Sequence, residues 1–278
     1  MSLLVEAEIL KHEEIMPGCR RLTLAAPGVA AAARPGQFLH VRCGNTLDPL
    51  LRRPISINAV DREKGEVAVM YRVAGRGTAL LAGRREGEAV SLLGPLGNGF
   101  SMPRNGERVS AVAGGIGIAP LFFLLQELKE TGIHAAVFLG AATKGSLLLV
   151  REISDLGHAV LLSTDDGSEG FHGAVTDLFY AAGSCPGRGG AAGACLPEGF
   201  FPPGRVYGCG PRGMLARLCE IIEKWGIPGE VSLEERMGCG VGACLSCACK
   251  TRHGEGGYRY RRVCAEGPVF PAGEVVWQ

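Results

Sequence analysis

The chain has almost no excess charge of either sign: 29 Lys and Arg against 28 Asp and Glu leave a net charge of +1 over 278 residues. So close a balance gives no field with which to hold nucleic acid or an anionic membrane surface. Long apolar runs are also missing. The longest, AVAGGIGIAPLFFLL, is too short for a bilayer span and is interrupted by Gly114, Gly115, Gly117 and Pro120. The N-terminal stretch MSLLVEAEIL lacks the basic segment, apolar core and small-residue cleavage site of an export signal. The expected compartment is therefore the reducing cytoplasm, and the odd count of 11 cysteines argues against a disulfide framework. No Ser–His–Asp set or pair of carboxylates suited to acid–base work stands out. A structural zinc site normally draws on two short cysteine pairs, and the C-terminal stretch holds one.

What the chain has in quantity is glycine, 43 residues of it, as expected where backbone must approach phosphates or clusters closely. Its most informative segment is MGCGVGACLSCACK, followed by YRRVCAEGP. Cys239, Cys244, Cys247 and Cys264 are spaced C-x4-C-x2-C with one distant fourth thiol, the plant-type arrangement for a [2Fe–2S] cluster. Gly238, Gly240 and Gly242 can adopt positive φ and bring backbone N–H groups toward cluster sulfurs. Cys249 adds a fifth thiol beside the loop. Cys19, Cys43 and Cys219 read as small buried apolar residues.

Hydrophobic patterning divides the chain into three expected domains, at residues 1–101, 102–230 and 231–278. In the first, short apolar and β-branched runs at Leu3–Ile9, Leu22–Ala25, Phe38–Cys43, Ile55–Val60, Glu66–Tyr71 and Ala89–Leu93 alternate with turn residues, predicting a small antiparallel β-barrel. In the second, strands at ERVSAVAGG, Ala135–Gly140, Ala159–Ser163, Arg205–Gly208 and Glu230–Leu233 alternate with helices at Pro120–Thr131 and Pro211–Trp225. That alternation predicts an α/β unit with a parallel sheet covered on both faces. The third segment, from about Glu234, is loop-rich and too short for its own core, so a bound cluster is expected to staple it. The Gly/Ala/Pro-rich stretch Ala181–Gly204, with Cys185 and Cys195, has no periodicity and reads as a surface loop.

Gly114–Pro120 (GGIGIAP) follows a strand and opens a helix, a geometry that points free N–H groups at a phosphate. Tyr207–Pro211 (YGCGP) occupies a second strand-to-helix turn. Asp165 and Asp166 close a further strand, where a carboxylate can accept from ribose hydroxyls and repel a 2′-phosphate, or simply form a turn. In the barrel region, Arg52–Ser56 is expected to place a guanidinium and a hydroxyl on the same strand face, three residues apart and slightly offset by the pleat. Tyr71, Arg72 and Val73 precede Gly75–Thr78, where Gly77 and Thr78 open an expected helix.

These pieces together resemble the ferredoxin-reductase-type flavoproteins. Arg53, Pro54, Ile55 and Ser56 match that family's R-P-x-S flavin signature, Gly77-Thr78 its pyrophosphate contact, and Gly114–Pro120 with Cys209, Gly210 and Pro211 its nicotinamide-binding pair. Within the superfamily, the tail from Leu233 to Cys244 is similar to the electron-transfer subunits of NAD-dependent dihydroorotate dehydrogenase complexes. The Ala181–Gly204 insertion and Cys249 depart from that pattern. The resemblance implies FAD, a [2Fe–2S] cluster and NAD as cofactors, with Arg53 on the FAD pyrophosphate, Ser56 near the flavin N5 and Cys209 on the hydride path. A flavin suits the gap between a two-electron hydride donor and a one-electron cluster. The implied partner is an FMN-containing dihydroorotate dehydrogenase catalytic subunit, in a heterotetramer of two chains of each kind with the cluster loop at the interface. The rival assignments are a reductase subunit of a ferredoxin:NADP oxidoreductase, sulfide dehydrogenase or hydrogenase complex, and a zinc-stapled binding module without catalysis.

Overall fold

The computed structural model describes residues 2–44, 47–184, 202–254 and 256–277. Its first strands are β1 (Leu3–Met16), β2 (Cys19–Ala25), β3 (Phe38–Val41), β4 (Arg53–Asp61), β5 (Glu66–Arg72) and β6 (Ala89–Leu96), with short helices α1 (Pro27–Ala32) and α2 (Arg76–Ala82). They close into an antiparallel barrel in the order β1-β2-β5-β4-β3-β6. Leu22, Leu24, Leu39, Val41, Ile57, Val67, Val69 and Leu92 fill it. The period of two decides which side each residue faces: on β3, Leu39 and Val41 enter the barrel, whereas Phe38 packs into a different core outside it.

Next come β7 (Val109–Gly114), α3 (Ile118–Glu130), β8 (Ala135–Ala141), α4 (Val150–Asp155), β9 (Ala159–Thr164), β10 (Phe171–His172), α5 (Val175–Ser184), β11 (Arg205–Cys209), α6 (Arg212–Trp225) and β12 (Gly229–Ser232). The tail adds β13 (Ala248–His253), β14 (Gly257–Arg262), α7 (Val263–Glu266) and β15 (Val269–Pro271). The sheet runs β10-β9-β8-β7-β11-β12-β15. Val109, Ala111 and Ala113 face α3 and α4, while Val112 faces α5 and α6, so both faces are dry and the strands read as continuous apolar runs. Gly226, at φ +65, ends α6 in the left-handed conformation that glycine tolerates best.

The tail departs from the expectation of a metal-stapled appendage. β13 and β14 form a separate hairpin, but β15 pairs antiparallel with β12, Val231 opposite Phe270. Val263, Cys264 and Phe270 are buried in one core with Phe38, Leu96, Val206, Leu218 and Val231. The tail thus borrows a core from the sheet. Of the Ala181–Gly204 stretch, Ala181–Ser184 close α5. Cys185 and Cys195 lie outside the described residues.

Candidate functional site

β4 and β5 pair only from Ile57 opposite Val69 to Asp61 opposite Glu66. Beyond that, Arg53 to Ser56 pair with β3 alone and Met70 to Arg72 with β2 alone. The strands diverge, and a cleft of about 490 Å³ occupies the wedge. Arg53, Pro54, Ile55 and Ser56 line it on one side, Met70, Tyr71 and Arg72 on another, and Ile116, Ala119 and Pro120 contribute from the sheet. Strict alternation would put Arg53 and Ser56 on opposite strand faces, but a strand bordering a cavity with its edge presents both.

Neighbouring arginines serve different ends. Arg52 donates from Nη1 to the Ser91 carbonyl at 2.7 Å and from Nη2 to Ser91 Oγ at 3.0 Å, bracing the barrel seam. Arg53 reaches the cleft. Its Nη1 donates to the Leu51 carbonyl at 2.8 Å, and its guanidinium lies over Gly77, where a Cβ would fall 2.9 Å from Nε. Gly77 is therefore room for Arg53. Thr78 Oγ1 accepts from the Ala74 and Gly75 N–H groups at 3.0 and 3.1 Å, fixing the start of α2 while Thr78 also lines the cleft. The Tyr71 hydroxyl is 2.9 Å from His12 Nε2, and burial pushes its phenol well above the ordinary range. Val73 lies outside the walls, its N–H donating to the Gly18 carbonyl. A cation beside an apolar slot suits a pyrophosphate joined to a flat ring system, and the residues present fit FAD.

A second cleft, about 460 Å³, lies where the turn after β7 meets the turn after β11. Gly114, Gly115, Gly117, Gly210 and Pro211 line it. The two turns touch backbone to backbone. A Cβ on Gly117 would collide with the Cys209 carbonyl, and one on Gly114 would lie 2.6 Å from Met214 Sδ. Gly115, at φ +54, leaves open space above the short helical turn that begins α3. These open glycine turns at helix starts fit a dinucleotide phosphate. The two clefts share Arg72, Ala74, Ile116, Leu233, Glu234 and Glu235. Glu234 remains open to water but is closely surrounded by protein, and this partial desolvation raises its carboxyl.

Not every candidate reaches a cleft. Cys209 is 1% exposed, lines neither cavity, and its thiol is pushed far up by burial. Asp165 and Asp166 sit at the end of β9 but on neither cleft wall. Asp166 Oδ1 accepts from Ser168 N–H at 3.0 Å and Ser168 Oγ at 2.6 Å, which lowers its carboxyl and ties that oxygen into the turn after β9. Sequence reasoning passed over Glu234, Arg212 and Trp277. Glu234 was visible as the residue just beyond the last parallel strand, where ligands collect. Trp277 reaches the second cleft only through the fold of the tail.

The cluster loop is built around its thiols. Cys239 Sγ accepts from the N–H groups of Val241, Ala243 and Cys244 at 3.3–3.4 Å, Cys264 Sγ from Gly242 N–H at 3.1 Å, and Cys247 Sγ from Cys264 N–H at 3.4 Å. Gly240 and Gly242 have φ of +73 and +83. Gly238 has no positive φ; there a Cβ would press on Cys244 Sγ at 3.2 Å. The thiols of Cys239 and Cys244 lie close enough to shift one another's ionisation, as do those of Cys247 and Cys264. Cys244 is exposed, and the Ser246 hydroxyl and nearby amides pull its thiol down to about 6. Burial, with Cys247 alongside, pushes Cys264 up to about 12. Among the described residues no three His, Cys, Asp or Glu side chains gather around one point as a single ion needs. Two thiol pairs, one for each iron, fit a [2Fe–2S] cluster instead. Cys249 lines the second cleft, and burial raises its thiol to about 11.

A family model for the iron–sulfur cluster binding domain of dihydroorotate dehydrogenase B matches residues 234–276. The chain is 44% identical over 278 residues to the electron transfer subunit of dihydroorotate dehydrogenase B (NAD(+)) from Desulforamulus reducens, covering 100% of both chains. The chain belongs to that family of electron-transfer subunits. The subunit of the same description from Geobacillus thermodenitrificans is 41% identical over 257 residues, 92% of this chain and 91% of the relative. Among solved structures, the NADH-dependent reduced ferredoxin-NADP oxidoreductase matches with a TM-score of 0.80 at 29% identity, covering 98% of this chain and 90% of that one. The ferredoxin reductase of carbazole 1,9a-dioxygenase shares the fold at a TM-score of 0.65 and 19% identity, over 81% of this chain and 67% of its own. No described helix is long and apolar enough to cross a membrane.

Proposed function

We propose that this chain passes electrons between NADH and an FMN-containing dihydroorotate dehydrogenase catalytic subunit, in a heterotetramer of two chains of each kind. The observation that carries this is the common wall, Leu233 to Glu235, between a flavin-sized cleft and a dinucleotide-sized one, followed in sequence by the paired thiols of Cys239 to Cys264. When bound, FAD takes electrons as a hydride pair and releases them singly, and a [2Fe–2S] cluster takes them one at a time. The protein's own part is placement and charge. Arg53 offers a guanidinium to the FAD pyrophosphate, and Ile55, Met70 and Tyr71 supply an apolar wall that keeps water from the ring. Ser56 presents its hydroxyl to the same cleft, in the role of a contact near N5. Gly115 and Gly210 let a dinucleotide phosphate approach the turns, and Glu234 presents a carboxyl raised by partial desolvation where the two clefts meet. Asp165 and Asp166 are proposed for the NADH ribose. The exposed rim at Cys244 is proposed to face the partner.

Absorption and electron paramagnetic resonance of the reduced full chain test the cofactor set, and a colourless zinc-containing product would overturn it. The acceptor is tested by co-producing the chain with the product of its genomic neighbour. NADH-linked orotate reduction is the expected outcome. Reduction of ferredoxin or polysulfide without orotate reduction would transfer the chain to the ferredoxin:NADP, sulfide dehydrogenase or hydrogenase group. Single Asp165→Ala and Asp166→Ala variants should erode the preference for NADH over NADPH, and unchanged kcat/KM ratios in both would remove them from the ribose site.

A further inference from the structure

Among the described residues, His40 is the side chain with two buried polar atoms and a hydrogen-bond partner for neither. It lies on β3, paired with Pro54 of β4 and Leu93 of β6, and is 1% exposed. Neither ring nitrogen has a hydrogen-bond partner. An imidazole hidden from water with no partner loses hydration on both nitrogens, a cost of a kind that native proteins rarely leave uncompensated. Alternation along the strand turns Leu39 and Val41 into the barrel, and Phe38 and His40 to the opposite side. There the ring meets the cluster loop. A Cβ on Gly240 would lie 2.6 Å from His40 Nδ1 and 3.1 Å from Cγ and Cε1. Gly240, at φ +73, is the residue after Cys239. Phe38, two residues back, and Pro54, opposite His40 in register, both line the first cleft. The imidazole therefore stands between the flavin-sized cleft and the cysteine loop.

The charge state of the ring suits a donor of one proton. Burial, aided by Arg52 and Arg53, lowers it to about 4, so at neutral pH it carries one N–H and one free lone pair. The Arg52 guanidinium, which also donates to the His40 carbonyl at 3.3 Å, cannot accept a bond from the ring. The Arg52 backbone lies near enough to raise the ring's pKa but not in hydrogen-bond geometry, so it leaves the N–H unsatisfied; the sulfur atoms of an iron–sulfur cluster held by the cysteine loop are acceptors on the side the ring faces.

We propose that His40 is a positioning residue of the cluster site, whose Nδ1–H donates a hydrogen bond to a sulfur held by the Cys239–Cys244 loop and so raises the cluster's reduction potential. The inference rests on the [2Fe–2S] reading given above. A hydrogen bond to sulfur favours the reduced cluster, which carries the extra negative charge, so losing it makes reduction harder. Placed beside the flavin-sized cleft, the contact would favour electron flow from that cleft toward the exposed rim.

The test uses the full chain with its cluster, labelled with ¹⁵N-histidine and reduced. Pulsed electron paramagnetic resonance should show a weak ¹⁵N coupling, too small for a ligand, that disappears in His40→Leu. Potentiometric titration should move the midpoint of His40→Leu to a more negative value, and His40→Asn, which keeps an N–H near the same place, should recover part of the shift. If wild type shows the reduced-cluster signal but no ¹⁵N coupling, His40 is mere packing and the proposal is overturned. The same holds if the coupling and midpoint are unchanged in a fully loaded His40→Leu chain. Should His40→Leu fail to load, the wild-type coupling alone decides. A wild type with no reduced-cluster signal at all overturns the cluster reading, and this inference with it.

Discussion

Two cysteines two residues apart end in different surroundings. Cys247 sits at the end of the loop, with its sulfur on the Cys264 N–H, while Cys249 on β13 lines the second cleft. Cys244→Ser and Cys247→Ser should therefore lose the cluster, whereas Cys249→Ser should keep its iron and its visible spectrum. Iron content per chain measures this, and an iron-free Cys249→Ser protein would reverse the assignment. Arg53 makes a second residue-scale prediction. Losing one charge-assisted contact is worth about 1.5–3 kcal/mol, so Arg53→Ala should retain FAD about tenfold to a hundredfold less tightly. Equilibrium dialysis reads that directly, and Arg52→Ala should lower stability more than FAD retention. Both distinctions depend on neighbours from other strands. The cysteine spacing was legible from residue types alone, but the roles of Arg52 and Arg53, or of Cys247 and Cys249, are set by which strand edge each one meets.

At the scale of elements, the six barrel strands were legible as apolar runs bounded by turn residues, although β1 continues beyond the predicted Ile9 to Met16 through a polar stretch. The parallel strands β7, β8, β9, β11 and β12 and the helices α3 and α6 were legible by the same patterning, but the two-residue strand β10 and the helices α4 and α5 were not. Nor did the sequence reveal β15, three residues long, whose place on β12 depends on a pairing more than thirty residues away. The wedge between β4 and β5 was likewise illegible, being a place where pairing stops. The glycine turns give a prediction of their own. Gly117 has φ −60, so its requirement is space rather than conformation. Gly117→Ala should push the two turns apart at a cost of about 1–3 kcal/mol and weaken NADH binding, which thermal unfolding and NADH titration would show.

His158 ties β8 and β9 to α3: Nδ1 accepts from Ala135 N–H at 3.1 Å and Nε2–H donates to the Leu125 carbonyl at 2.9 Å. That arrangement needs a neutral ring, and burial accordingly lowers its pKa below 6.5. The unfolded chain takes up the proton more readily. The stabilisation is therefore complete above 6.5 and is lost as pH falls below that toward the depressed folded value. His158→Gln should flatten this part of the stability-versus-pH curve, and an unchanged slope would assign the acid sensitivity elsewhere.

Across the whole molecule, barrel, sheet and tail share buried side chains rather than flexible joints. Phe38 and Leu96 from the barrel, Val231 from the sheet and Phe270 from the tail belong to one core. Phe270→Ala should cost about 3–5 kcal/mol in denaturant unfolding and loosen the cluster loop with it. The outward surface is different. Val241 and Leu245, 55% and 62% exposed, flank Cys244, and Leu245 has φ +60, rare for a bulky residue. If this rim meets the catalytic subunit, Leu245→Glu should dissociate the complex on size exclusion while leaving the iron content intact.

The hairpin and the return of β15 to β12 place the thiols through protein contacts alone. Ala248 opposite Arg262 and the Val263 N–H on the Cys247 carbonyl hold Cys264 beside Cys247, and β15 anchors that hairpin to the sheet. Iron delivery during biogenesis thus meets a finished scaffold, and starvation for the metal should leave chains that are folded and waiting rather than chains bound for degradation.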